Sequence, residues 1–119
     1  MSEQEKILTV SKEVVIHRLL QLPGEIDQAE KDYHQETIRV QASQDALAEW
    51  EVQLWANGLI EGKNDIERKN SLRANTTEQR NRIADANYAA ARARMALSHR
   101  QNVFACYRSI ARLMAGGAE

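Results

Sequence analysis

Three histidines, one cysteine and a glycine–lysine turn are the residues from which any chemistry in this chain would have to be built. His17, His34 and His99 fall on three separate predicted helices, and none has a carboxylate or a second histidine at the spacing a metal site requires. They are expected as surface residues. Cys106 stands seven residues after His99 on one predicted helix, which separates the two backbones by about 10 Å, too far to share a proton. The cysteine is therefore expected to be buried and inert. The stretch GLIEGKN places a glycine before Lys63 but lacks the first glycine, the hydroxyl residue and the preceding strand of a phosphate loop. There is no GxGxxG turn and no serine elbow. Carboxylates are plentiful on the first half of the chain, yet they spread around a helix as a solvated face. No catalytic residue, metal ligand or cofactor is expected, and the chain does not read as an enzyme.

The elements that would position these residues are helices. The 119-residue chain is 43% hydrophobic and 28% charged, with one proline and few aromatics, and its Leu, Ile, Val and Ala recur periodically rather than in blocks. That argues against disorder and for helix over sheet. A single cysteine allows no internal disulfide, so a reducing, cytoplasmic setting is expected. MSEQEKILTV is charged where a secretory segment needs an apolar run, and no apolar run approaches the roughly 18 residues of a membrane span.

Residues 1–10 read as a flexible terminus. Ser11 can cap a short helix over 11–22, ended by Pro23-Gly24, because a proline disfavours helical geometry in the residue before it. A long helix then spans about 24–57. In it Ile26, Tyr33, Val40, Leu47 and Leu54 recur every seven residues, with Ala29 and Trp50 in a second column that Glu36 and Ser43 weaken. A polar helix over 64–74 follows. Residues 76–115 form the last helix, with Asn75 or Thr76 and Glu78 or Gln79 as a capping box and a matching column of Ile83, Ala90, Leu97, Phe104 and Ala111. Residues 116–119, beginning at Gly116-Gly117, read as a flexible end.

Matched lengths and matched heptads predict an all-α fold: an elongated, coiled-coil-like antiparallel helical hairpin with a short N-terminal helix. Two registers are open. In the first the bend spreads across 58–75, Leu54 faces Ile83 and Ile26 faces Ala111, and Trp50 fills the space beside Ala86 and Ala93. In the second the chain turns at Gly62 alone, which pairs Glu30 with Arg94 and Glu51 with Arg73 but sets Leu47 and Leu54 against Thr76 and Lys69. The apolar matching favours the first.

Three surfaces remain as binding candidates. A third apolar column, Ala89, Ala96, Val103 and Ile110, is surplus to a two-helix seam and is a candidate for self-association. The predicted tip gathers Lys63, Asn64, Arg68, Lys69 and Arg73. Arg73, Arg80, Arg94 and Arg108 share one heptad column that could track phosphates, or could flank the seam and answer Glu30 and Glu51. Residues 25–57 hold two basic against eight acidic side chains, and residues 76–114 hold seven against two. That near-cancellation favours the flank, as does the absence of aromatics interleaved with the arginines.

LPGEIDQAE, LWANGLIEGKNDIERKNSL and the Ala/Arg-rich helix ending in RSIARLMAG resemble small uncharacterised helical proteins of tailed bacteriophages and prophages, over residues 22–116. The resemblance implies an early-region role in replication or recombination, in the host cytoplasm, and transfers no active-site residue. The function expected is a non-enzymatic interaction or scaffold protein that forms a homo-oligomer and binds an unknown protein partner. A nucleic-acid-binding accessory and an inhibitor of a host protein are the alternatives.

Overall fold

A computed structural model describes the backbone of residues 3–116 and the side chains of residues 12–116. The fold is all-α: α1 spans Glu3–Ala56, α2 Asp65–Ala74 and α3 Thr77–Gly116, with no strand among the described residues. The long helices α1 and α3 pack as a hairpin. Residues 117–119 of the expected flexible C-terminus lie outside the described residues, and so do Met1 and Ser2 at the other end.

The chain divides into two compact units, Met1–Tyr33 with Ala93–Glu119, and His34–Arg92. The first pairs the beginning of α1 with the end of α3, and its buried apolar side chains among the described residues are Val15, Leu22 and Ala29. The second holds the rest of α1, all of α2 and the start of α3, with Leu54, Thr76 and Ala86 buried.

The expected break at Pro23 does not occur. Helices predicted over 11–22 and 24–57 are one helix, which already runs through residues 3–10. The reason lies in the phase of the seam. Val15, Leu19, Leu22, Ile26 and Ala29 alternate steps of four and three straight across the proline, so a break would take Leu22 and Ala29 out of register together. Pro23 itself is exposed on the outer side, where its ring displaces no packed neighbour. The missing N–H leaves the Leu19 carbonyl without its helical donor, and that cost is outweighed by burial along the seam.

The register also differs from the favoured one. In the first unit Ala111 and Met114 share a groove with Val15 and Leu19, so Ala111 does not lie opposite Ile26. In the second unit the Trp50 indole donates to the Asn75 carbonyl at 2.9 Å instead of filling space beside Ala86 and Ala93. Both observations lie close to the register turned at Gly62. Against that register stood Lys69 and Thr76 set against the leucine seam; Lys69 is exposed, clear of it. Thr76 is indeed buried, at 2% exposure, but its hydroxyl donates to the Leu72 carbonyl at 2.9 Å, so no polar group is left unsatisfied.

Two glycines make the turn. Gly58, at φ +66°, closes α1: Leu59 N–H reaches back to the Leu54 carbonyl and Gly58 N–H to that of Trp55, the paired bonds of a left-handed helix stop. Gly62, at φ +148°, lies against the first turn of α2, where an added Cβ would meet the Arg68 nitrogen and the Glu67 Cβ at 2.7 Å. Gly62→Ala should therefore lower the unfolding free energy by about 2 kcal/mol through backbone strain and this clash together. Urea denaturation followed by circular dichroism would show it, and an unchanged midpoint would mean the turn has another geometry.

The expected capping box at α3 is not formed by the residues proposed for it. Thr76 donates its hydroxyl backwards into α2, and Glu78 pairs forward with Arg82.

Candidate functional site

The tip residues serve local structure more than they face a ligand. Asn64 is the N-cap of α2, its side-chain oxygen accepting from Glu67 N–H at 2.9 Å, and the Glu67 carboxylate accepts from Lys63 N–H at 2.6 Å. Arg68 is half-buried and bridges Asp65 at 2.7 Å. The Arg73 carbonyl takes a hydrogen bond from Arg80, whose guanidinium also donates to the Thr76 hydroxyl. Arg80 thus ties the end of α2 to the start of α3. Of the tip cations, Lys63, Lys69 and Arg73 are exposed.

The arginine column does not clasp the acidic arm. Among the described residues every ion pair lies within one helix: Arg18–Glu25, Lys31–Asp27, Arg39–Glu36, Arg68–Asp65 and Arg82–Glu78. Neither Glu30–Arg94 nor Glu51–Arg73 is among them, although the register lies near the one that suggested both. Exposed pairs of long side chains gain little net free energy, so proximity along the hairpin does not oblige them to close. Arg94 is exposed. Two other arginines lie over aromatic rings four residues earlier, Arg92 over Tyr88 and Arg108 over Phe104, each 5.8 Å from the ring centre. The basic helix is thus interleaved with aromatics, contrary to the sequence reading, because a spacing of four puts each ring directly beneath its cation.

The surplus apolar column is partly covered. Ala89, Ala96 and Val103 are half-buried, and Ile110 alone of the four is exposed, at 41%. Cys106 is exposed rather than buried, since it shares an outward column with His99 and Leu113, seven residues to either side. His17, His34 and His99 are all exposed, and the first two stand on the same helix, α1. No group of three or more His, Cys, Asp or Glu gathers among the described residues in a way that could hold a metal.

What the structure does bring together is apolar. In the first unit Lys12, Val15, Ile16 and Leu19 of α1 face Ala111, Met114 and Ala115 of α3 around a groove of about 250 Å³. Val14, Ile16, Leu20, Met95, Ile110 and Leu113 of this unit are exposed, Leu20 and Leu113 to 78% and 75%. A sequence signal for this existed in the adjacent pairs Leu19-Leu20 and Leu113-Met114. Neighbouring residues on a helix point about 100° apart, so one partner helix cannot cover both. In the second unit Ile38, Val52, Trp55, Leu59, Ile66 and Tyr88 are exposed across α1, the turn, α2 and α3. No helix among the described residues is long and apolar enough to cross a membrane.

No protein-family model, curated protein or solved structure matches this chain.

Proposed function

We propose that this chain is a non-enzymatic helical interaction protein that self-associates and, once assembled, binds another macromolecule; in the bacteriophage setting implied by the sequence resemblance it is a scaffold of the host cytoplasm. The observation that carries the reading is the balance of covered and uncovered apolar side chains in the first unit. Among the described side chains of this unit Val15, Leu22 and Ala29 are buried, while Val14, Ile16, Leu20, Met95, Ile110 and Leu113 are exposed, with Ile16 at the wall of an apolar groove. Scattered exposed leucines are ordinary, but an apolar groove with an uncovered isoleucine at its wall and an uncovered leucine one turn on marks a surface that works when covered.

The test is the mass of the protein in solution, by light scattering after size exclusion across a concentration series. The wild type should form a defined oligomer at about 100 µM or below, an affinity that standard-sized apolar interfaces reach readily. Combining Ile16→Asp with Leu20→Asp, both exposed and on one side of α1, should keep full helicity and weaken association at least about tenfold through lost apolar burial. A wild type that stays monomeric throughout the series rules out self-association.

The second reading, a nucleic-acid-binding accessory, is favoured by one observation. Arg94 is exposed and has no ion pair among the described residues. It requires salt-sensitive binding of duplex or single-stranded oligonucleotide in an anisotropy titration.

A further inference from the structure

We infer that the surface of the first unit is covered by a second copy of this chain, with the acidic start of α1 in each copy lying along the basic end of α3 in the other. The inference rests on the self-association reading and adds to it the identity and geometry of the contact.

Charge distribution argues for this occupant. Within residues 93–116 α3 carries Arg94, Arg100, Arg108 and Arg112 and no carboxylate at all. None of the four forms an ion pair among the described residues. Residues 12–33 of α1 carry five carboxylates against three cations, and Glu13 and Glu30 among them are exposed and likewise without an ion pair. The first unit of each copy therefore presents an unanswered basic stretch and an unanswered acidic one, the acidic one beside uncovered apolar side chains. Ile16 and Leu20 are exposed on the acidic helix, and Ile16 lines the groove whose far wall is Ala111, Met114 and Ala115 of the basic one. A surface that is at once basic and acidic over adjacent helices suits a copy of itself better than a polyanion, which the α1 carboxylates would repel.

Symmetry supplies the geometry. A two-fold axis running along the helices sets α1 of each copy beside α3 of the other, antiparallel and at the same height as within its own hairpin. In this unit α1 residues 12–19 lie level with α3 residues 111–115. Glu13 then comes level with Arg112 of the second copy, and Glu30, further along α1, approaches the height of Arg94. Both contacts repeat by symmetry, so the assembly closes as a dimer built on a four-helix bundle.

The experiment is a charge exchange on the full chain, read by sedimentation equilibrium at low salt. Arg94→Glu with Arg112→Glu is one variant, and Glu13→Arg with Glu30→Arg is the other; all four positions are exposed, and circular dichroism verifies that helicity is kept. Each variant alone should dimerise at least about tenfold more weakly than the wild type, since like charges then meet at four places. An equimolar mixture should recover the wild-type affinity as a heterodimer. Should either charge-reversed chain fail to fold, the neutral pairs Arg94→Gln with Arg112→Gln and Glu13→Gln with Glu30→Gln take its place; each should weaken the dimer, and their mixture should show no recovery. A wild-type dimer indifferent to both exchanges, or weakened variants that do not rescue each other, overturns this contact while leaving self-association intact. A monomeric wild type overturns both. A monomer that binds duplex oligonucleotide through Arg94 and Arg112 assigns the basic stretch to phosphate instead.

Discussion

Leu22→Asp should lower the unfolding free energy by about 4 kcal/mol, because it removes a leucine from the core and leaves a charge there with no partner. Leu22 is fully buried, at 0% exposure, and it is the largest apolar side chain buried among the described residues of the first unit. With so few buried positions, little surrounding structure is available to relax around the change. Urea denaturation of dilute protein, followed by circular dichroism, measures it. The control stands two residues away: Leu20 is 78% exposed, and Leu20→Asp should move stability by no more than about 0.5 kcal/mol under the same dilute conditions. Equal effects at the two positions would mean that α1 is rotated from the orientation described.

Pro23→Ala should act in the opposite direction and raise the unfolding free energy by about 3 kcal/mol, the usual cost of proline within a helix. Alanine restores the N–H that the Leu19 carbonyl lacks and removes the ring that crowds it. Pro23 is exposed, so no packing is lost in exchange. The proline is tolerated partly because the helix is held on either side of it. Arg18 donates to the Gln21 side chain at 3.2 Å and reaches across the proline to Glu25 at 2.8 Å. A loss of stability in Pro23→Ala would show that α1 needs the irregularity the proline imposes. Leu22 and Pro23 are adjacent in sequence and should shift the same denaturation midpoint in opposite directions, which makes the pair a sharp test of the seam.

These two neighbours also show where sequence reasoning succeeds and where it stops. The seam was legible: columns spaced by seven through Ile26, Tyr33, Val40, Leu47 and Leu54, and again through Ile83, Ala90, Leu97, Phe104 and Ala111, are half-buried or buried throughout. Helices α2 and α3 begin within a residue of where caps and composition place them. Local rules misjudged Pro23. A proline's helix-breaking tendency is a local free energy, whereas the continuity of Val15, Leu22 and Ala29 along one buried face is a cooperative one, and the second is larger.

Heptad spacing and the lack of strand-forming segments determined by themselves that this chain is all-α and folds as a hairpin, because burying a stripe on each long helix leaves little other choice. Register, and with it the surface left uncovered, was decided only in the tertiary structure. A seven-residue repeat matches itself after every shift of one heptad, so apolar columns alone cannot select one pairing. The choice falls to contacts between residues distant in sequence, such as the Trp50 indole on the Asn75 carbonyl, and to the fit of Gly62 against the first turn of α2. The groove between Ile16 of α1 and Ala115 of α3 follows from that register. Residues become a surface only once the pairing has determined what remains beside them.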